Sequence, residues 1–506
     1  MKLLKRILSR SFIVAIAILI QLVIYTFVLG WLSERYVYIS IPFSVIGILF
    51  VIAVINRNMS ASYKVPWIIV LLVMPVVGIF LYLLFGNPKF TRKQRKKLLR
   101  INDEASKYCI QNEAVMDSLE ECDAKGQAKY LLNASGMPLH FKTATKYFIS
   151  GEAAFEALKQ KLNGAKKFIF MEYFIIEEGK MWNEILDIMV AKVREGVEVK
   201  VLYDDLGCAG TLKHDYNKFL CSKGIDCVKF NKLTPIISAV HNNRDHRKIA
   251  VIDGKEAFTG GFNLSDEYIN ETSPFGYWKD SAVYLAGEGV RNLTVMFLCQ
   301  FYAQSNLKPE FDKYLDGNFV ASGQGYVLSF GDGPAPLYND YIGEEAYLNI
   351  INQARRYVYI TTPYLIVDYH ITKALKAAVK RGVDVRIITP HIPDKKLINI
   401  MTKSSYEDLV KNGVKIYEFK PGFIHAKTFV SDDAVGIVGT INLDYRSLVH
   451  HFECGVWMYK TEAVAEMRED FDNTLAKCIY IDEASARLKW YQKLVASILM
   501  VFAPLL

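Results

Sequence analysis

Apolar residues are spread unevenly along this chain. Three long apolar runs lie near its start: Ser11 to Leu32, interrupted by Gln21; Tyr36 to Ile55; and Val65 to Phe85. Each has the ~20 residues that a helix needs to span a bilayer. The first is too long for a signal-peptide core and lacks a small-residue cleavage site. Ser33-Glu34-Arg35 and the polar loop Asn56 to Lys64 separate the runs, and Gly86-Asn87-Pro88 ends the third, which also contains Pro66, Pro75 and Gly78. Residues 1–90, with runs at 11–32, 36–55 and 65–86, are therefore expected to be a membrane anchor, and residues 91–129 a basic, charged connector.

From about Tyr130 the pattern changes to strand-like apolar runs alternating with amphipathic stretches, as in α/β units. Lys167 to Ile176 reads as a strand, Met181 to Glu195 as a helix ended at Gly196, and Val197 to Tyr203 as the next strand. The block recurs. Ala165-Lys-Lys-Phe-Ile-Phe-Met171 matches Ala354-Arg-Arg-Tyr-Val-Tyr-Ile360, and Val193-Arg-Glu-Gly-Val-Glu-Val-Lys-Val201 matches Val379-Lys-Arg-Gly-Val-Asp-Val-Arg-Ile387. The expected organisation is two halves, 130–325 and 326–485, joined in the Gly/Pro-rich stretch Gly323 to Pro336. An apolar tail, 486–506, follows. It is short for a span, and reads equally as a core-packing helix or as a segment lying in the membrane interface.

Each half carries the same spaced set of polar residues. The first is His246, Lys248, Asp253, Gly260 and Asn263; the second is His425, Lys427, Asp432, Gly439 and Asn442. In both copies the order is His-x-Lys, four residues, Asp, six residues, Gly, two residues, Asn. On an extended strand residues two apart share a face, so each His projects beside its Lys. Each Asp falls near the far strand end, where a turn begins. The chemistry suits phosphate: lysine neutralises non-bridging oxygens, while histidine attacks phosphorus or shuttles a proton near neutral pH. Asn263 and Asn442 could donate to phosphate oxygens or form Asx turns.

This duplicated motif resembles the signature of the phospholipase D superfamily. Gly439-Thr-Ile-Asn-Leu-Asp-Tyr-Arg-Ser447 with Phe452-Glu453, and Trp67 to Gly86, resemble bacterial cardiolipin synthases in particular. The resemblance implies two tandem phospholipase D-like α/β/α halves, related by pseudo-twofold symmetry and preceded by N-terminal transmembrane helices. It implies that the two motifs meet at one site, that His246 and His425 serve as nucleophile and general acid/base, and that His246 takes the nucleophile's part by family tendency, although the symmetric motifs allow exchange. Lys248 and Lys427 would hold phosphate, Asn263 and Asn442 would assist, and Asp253 and Asp432 would support the site. Glu453 would orient a site histidine or bind substrate. No metal and no cofactor are implied. The expected reaction transfers a phosphatidyl group from one phosphatidylglycerol to another, giving cardiolipin and glycerol through a phosphohistidine. The alternatives are a phospholipase D hydrolase or a transferase using another alcohol.

Composition changes this picture little. The chain has 506 residues, 51% of them apolar, and a formal net charge of +8. Positive charge fits anionic membrane lipid or nucleic acid, but three apolar runs argue against a nuclease. No Gly-rich phosphate loop ending in Gly-Lys-Ser/Thr is present, so a nucleotide partner is not expected. The eight cysteines have no zinc spacing. Asp204-Asp205 reads as a solvated strand-end pair rather than a metal site, and His450 and His451 receive no role. Basic residues flank the anchor on both sides: Lys2, Lys5, Arg6 and Arg10 before it, and Lys89, Arg92, Lys93, Arg95, Lys96, Lys97 and Arg100 after it. The positive-inside rule places both clusters in the cytoplasm, which three full spans cannot satisfy. Either one run is a re-entrant hairpin or one basic end is outside. The larger cluster decides for a multi-pass cell-membrane protein with a cytoplasm-facing catalytic part.

Overall fold

The repeated blocks become the central strands of two sheets. The computed structural model describes residues 16–31 in part and 37–503 apart from 58, 60, 87–89, 121, 234–241 and 316–322. In chain order the strands are β1 (His140–Phe141), β2 (Ala144–Phe148), β3 (Phe168–Tyr173), β4 (Glu198–Asp204), β5 (Asp226–Phe230), β6 (Ile249–Ile252), β7 (Glu256–Gly260), β8 (Tyr277–Lys279), β9 (Ala282–Ala286), β10 (Tyr326–Asp332), β11 (Tyr357–Thr361), β12 (Asp384–Pro390), β13 (Lys415–Phe419), β14 (Gly422–Ile424), β15 (Thr428–Ser431), β16 (Val435–Gly439), β17 (Glu453–Tyr459) and β18 (Cys478–Ile481). One sheet runs β2-β9-β7-β6-β3-β4-β5 and the other β1-β10-β17-β16-β15-β11-β12-β13-β18. The order β9-β7-β6-β3-β4-β5 thus recurs as β17-β16-β15-β11-β12-β13. The strand senses match as well: β3·β4 and β11·β12 are parallel, while β3·β6 and β11·β15 are antiparallel. The fold is mixed α/β with repeated halves.

Burial explains the composition of these strands. β3 and β11 are buried at every position, so they read as continuous apolar runs instead of alternating. The helices that follow them, Lys180–Arg194 and Tyr369–Lys380, end at Gly196 and Gly382, both at φ 88°; only glycine adopts this left-handed cap without strain. The helix Val290–Gln304 buries eleven side chains around its whole circumference and packs on strands of both sheets. Hence its lack of a polar face.

Asp253 and Asp432 close the same turn in each half. Asp253 sits at φ 54° and accepts hydrogen bonds from the backbone N–H groups of Lys166 (2.9 Å), Lys167 (2.7 Å) and Phe168 (2.9 Å). Asp432, at φ 56°, accepts from Arg355 (2.7 Å), Arg356 (2.8 Å) and Tyr357 (2.9 Å). Each carboxylate thereby ties the end of β6 or β15 to the entry of the central strand. Asp253→Ala removes three acceptor contacts and leaves alanine at positive φ. It should cost ~3 kcal/mol, read as a lowered thermal midpoint of the purified protein.

The segment expected to be an anchor departs from three uninterrupted spans. The run 11–32 is described only in part, between 16 and 31, and the residues described there are helical. The second run forms α1 (Val37–Ile55), and the third breaks into α2 (Ala61–Val73) and α3 (Pro75–Phe85). Met74 leaves helical geometry (φ −135°, ψ 72°), and Pro75 starts the new helix where its missing N–H costs nothing. α3 folds back on α2 so closely that a Cβ on Gly78 would lie 2.6 Å from the Val70 carbonyl oxygen. The corner abuts Gly47, near the middle of α1. At the hairpin base Arg57 donates to the Tyr82 hydroxyl (2.9 Å) and to the Gly86 carbonyl (3.1 Å). Among the described residues no helix is long and apolar enough to cross a membrane.

The segment after the anchor is helical in three pieces: α4 (Arg92–Ser106), α5 (Glu113–Ser118) and α6 (Asp123–Ser135). It packs into a core shared by both halves through Ile101, Met116 and Leu131, and the Trp457 indole donates to Gln127 (2.8 Å). The tail forms α7 (Trp490–Phe502), which buries only Ala496 among its own residues and leaves Trp490 78% exposed. It rests on the helix Lys396–Ser404 and on α2, so it is not a core helix.

Candidate active site

Both His-x-Lys segments lie at the entry of a strand, and each is held by the opposite half. The His246 N–H donates to the Phe452 carbonyl (2.9 Å) and the His425 N–H to the Lys279 carbonyl (2.7 Å). β8 of the first half pairs in parallel with β14 of the second. This exchange brings the four predicted residues into one buried region: His246 and His425 are each 7% exposed, Lys248 and Lys427 each 1%.

The side chains cross the same boundary. His246 Nδ1 lies 2.9 Å from Glu453 Oε1, and His425 Nδ1 lies 2.7 Å from Asp280 Oδ2. Glu453 also accepts from Ser447 Oγ (2.7 Å) and from the Thr440 hydroxyl, which fixes its orientation. Asp280 accepts from the Ser281 N–H (2.8 Å). With the carboxylate at Nδ1, a neutral imidazole keeps its proton there and frees the Nε2 lone pair. The Lys248 ammonium donates to the His246 carbonyl at 2.6 Å, and Lys427 donates to the His425 carbonyl.

Burial sets the protonation states. It pushes both imidazoles down to about 4, against the pull of Glu453 on His246 and with Lys427 adding to the push on His425. It likewise lowers Lys248 to about 8 and Lys427 to about 7. For Glu453, burial favours the neutral acid, but the attraction of His246 outweighs it and holds the carboxyl below the usual range; Asp280 is held down in the same way by His425. The site therefore holds two imidazoles of low proton affinity, each against a carboxylate, and two lysines that lose their charge between about pH 7 and 8.

The other candidates are placed differently. Asp253 and Asp432 do not join this cluster; they stand at the far strand ends, tying the turns described above. Asn263 ties its loop to the segment after β3, accepting from the Ile175 N–H (3.1 Å) and donating to the Tyr268 hydroxyl (2.7 Å). Asn442 is buried, and its Oδ1 has no partner among the described residues. Glu453 contacts His246. Asp204-Asp205 is not a solvated pair. Asp204 is fully buried against Arg244 (2.7 Å) and Asp205 faces Lys229 (3.3 Å). Glu172 is likewise buried, paired with Arg247 at 2.7 Å.

Two residues of the cluster carry weaker sequence signals. Asp280, beside His425, lies 17 positions after Asn263, whereas Glu453 lies 11 after Asn442; the unequal spacing hides their equivalence. His451 stands two residues before Glu453. It is 7% exposed, its ring centre is 5.5 Å from that of His246, and among the described residues neither ring nitrogen has a hydrogen-bond partner.

Comparison with known proteins follows the same lines. A family model described as "Cardiolipin synthase, PLD-like domain" matches residues 158–273 and 347–475, and one described as "Phospholipase_D-nuclease N-terminal" matches 45–87. The chain is 33% identical over 473 residues to cardiolipin synthase 2 of Bacillus anthracis, covering 92% of this chain and 91% of that protein. It is 31% identical to the cardiolipin synthase of Alkalihalophilus pseudofirmus, covering 92% and 94%, and 45% identical to an uncharacterized protein of Streptococcus mutans, covering 90% and 99%. The crystal structure of phosphatidylserine synthase from Haemophilus influenzae shares the fold at TM-score 0.55 and 14% identity, covering 76% of this chain and 97% of that one. Two His-x-Lys strands meeting across duplicated halves, together with relatives matched over nearly their whole length, show that this chain is a phosphatidyltransferase belonging to the cardiolipin synthases of the phospholipase D superfamily.

Proposed function

We propose that the protein joins two phosphatidylglycerol molecules, using His246 as nucleophile and His425 as proton carrier across a pseudo-twofold site. The observation that carries this reading is the reciprocal pairing of His246 with Glu453 and His425 with Asp280. His246 Nε2 attacks the phosphorus of the first lipid, and the P–O bond to glycerol breaks. The leaving oxygen takes a proton from His425, giving free glycerol and a phosphatidyl-histidine adduct. The terminal hydroxyl of a second phosphatidylglycerol then gives its proton to His425 and attacks the adduct, releasing cardiolipin and restoring His246. Lys248 and Lys427 neutralise the equatorial oxygens, with Asn442 as a further donor. Glu453 and Asp280 stabilise whichever imidazole becomes cationic.

The depressed proton affinity of His425 gives the substrate a part in this chemistry. The free imidazole is neutral at pH 7, so the bound phosphodiester's negative charge must draw in the proton that the leaving glycerol receives. Raising the pH works against both this proton and the two lysine charges. kcat/KM, which reports the free enzyme, should therefore fall as pH rises through about 7 to 8. An increase over that interval would refute the assigned charges.

Membrane attachment completes the reading. If residues 11–32 and 36–55 cross the bilayer while 65–86 enters only as the α2–α3 hairpin, the basic N-terminus and the α4 cluster lie on one cytoplasmic side, as the positive-inside rule requires. Arg92, Lys93, Arg95, Lys96 and Arg100 are exposed on α4 and would meet anionic headgroups at about 1 kcal/mol per residue. α7, with Trp490, Tyr491, Leu494 and Ile498 exposed, would lie in the interface. Tyr63 of α2 donates to the Tyr445 carbonyl (3.1 Å), next to the segment carrying Ser447 and Glu453, so the anchor would hold the site close to its lipid.

The test is to supply the purified full chain, in detergent or liposomes, with phosphatidylglycerol alone and to follow lipid products and glycerol together. Equal amounts of cardiolipin and glycerol are expected. Phosphatidic acid with glycerol would make water the acceptor, and no product would exclude phosphatidylglycerol as donor.

A further inference from the structure

We propose that His246, His451 and Glu453 form an inhibitory site for a borderline-soft divalent metal ion of the Zn²⁺ class; the inference rests on the role given to His246 above. One ligand atom from each residue lies within 4.8 Å of the others, and all three residues are buried. Glu453 Oε1 is 2.9 Å from His246 Nδ1 and 3.7 Å from His451 Nδ1. Ligands on a tetrahedral Zn²⁺ with bonds of about 2.0–2.2 Å stand roughly 3.3 Å apart, so small side-chain rotations suffice. Two imidazoles and a carboxylate are also a recurrent zinc donor set, with a fourth position left for water or phosphate.

His451 supplies the independent observation. A buried imidazole short of hydrogen-bond partners is costly; among the described residues His451 Nε2 has none, and Nδ1 has only Glu453 Oε1 at 3.7 Å, beyond normal hydrogen-bond length. The junction between the π-helical segment Arg446–His450 and β17 nevertheless holds it beside His246 and Glu453. Lys248 and Lys427 oppose any cation here. Binding must then rely on metal–imidazole bonds, which selects zinc or cobalt over magnesium.

Inhibition follows from proton bookkeeping within one ring. In the active form the His246 proton sits on Nδ1, facing Glu453, and Nε2 is free to attack. A metal bound at Nδ1 takes the lone pair there, and the single proton of the neutral imidazole moves to Nε2. The nucleophilic atom is then protonated without any net gain or loss of charge on the ring. The metal blocks the first displacement directly, and a chelator should restore it.

The experiment titrates Co²⁺ and Zn²⁺ into the purified full chain in detergent, with Mg²⁺ as comparison. Co²⁺ should give visible ligand-field absorption that saturates at one ion per chain and is bleached by Zn²⁺. Zn²⁺ should suppress phosphatidyl transfer reversibly at the same concentrations, with Mg²⁺ inert. His451→Asn should raise the Co²⁺ and Zn²⁺ midpoints by at least about tenfold, while His450→Asn leaves them unchanged; thermal melting confirms that both variants fold. Absence of absorption at millimolar Co²⁺, or equal midpoints in wild type and His451→Asn, would overturn the site. The absorption reads binding without turnover, so a chain that binds Co²⁺ but does not use phosphatidylglycerol would fault only the assigned substrate.

Discussion

His246→Ala should lower phosphatidyl transfer by about 10⁴-fold or more, because it removes the atom that forms the covalent intermediate. His425→Ala should cost about 10²- to 10⁴-fold, the usual worth of a positioned proton donor. The two losses can be told apart with a phosphatidyl p-nitrophenyl ester, whose leaving group needs no proton. On that donor His425→Ala should release up to one equivalent of nitrophenol per chain in a burst and then stall with phosphate lipid attached to His246. His246→Ala should give no burst. A burst in His246→Ala and none in His425→Ala would exchange the two roles, which the symmetry of the motifs allows.

Glu453→Gln is expected to be nearly as damaging, at about 10⁴-fold in kcat with the protein still folded. The amide is close in shape to the carboxylate, but its NH₂ group can face Nδ1 and favour the tautomer protonated at Nε2. The same kind of substitution beside a catalytic histidine in serine proteases has an effect of that size. A carboxylate that only filled space would tolerate the exchange, and a loss below about tenfold would reduce Glu453 to packing. Glu453→Asp, which keeps the charge at shorter reach, should recover part of the activity. Asp280→Asn tests the same argument at His425. Because Asp280 faces the proton carrier rather than the nucleophile, its loss should fall more lightly on the p-nitrophenyl ester than on phosphatidylglycerol.

The sequence by itself determined the duplication, the pairing of each histidine with its lysine, and the α/β alternation. These are local properties. A period of two along a strand and a recurring Gly at a helix end are set by backbone geometry within a few residues. The same locality made the turn position of Asp253 and Asp432 legible, though not the three amides that each one holds. Tertiary structure alone decided the partners. Glu453 and His246 are 207 residues apart and Asp280 and His425 are 145 apart, so no spacing rule connects them; they meet because each half lends a strand edge to the other. Asp204 looks like a surface carboxylate in sequence, yet it is buried, because Arg244, 40 residues on, folds over it. The third apolar run has the length and composition of a span. It becomes a hairpin because Pro75 interrupts the helix and Gly78, having no side chain, lets the chain fold back against Val70. His451 likewise shows no ligand spacing in sequence. Its place beside His246 and Glu453 comes from the turn that brings the second half's β17 across to the first half's motif.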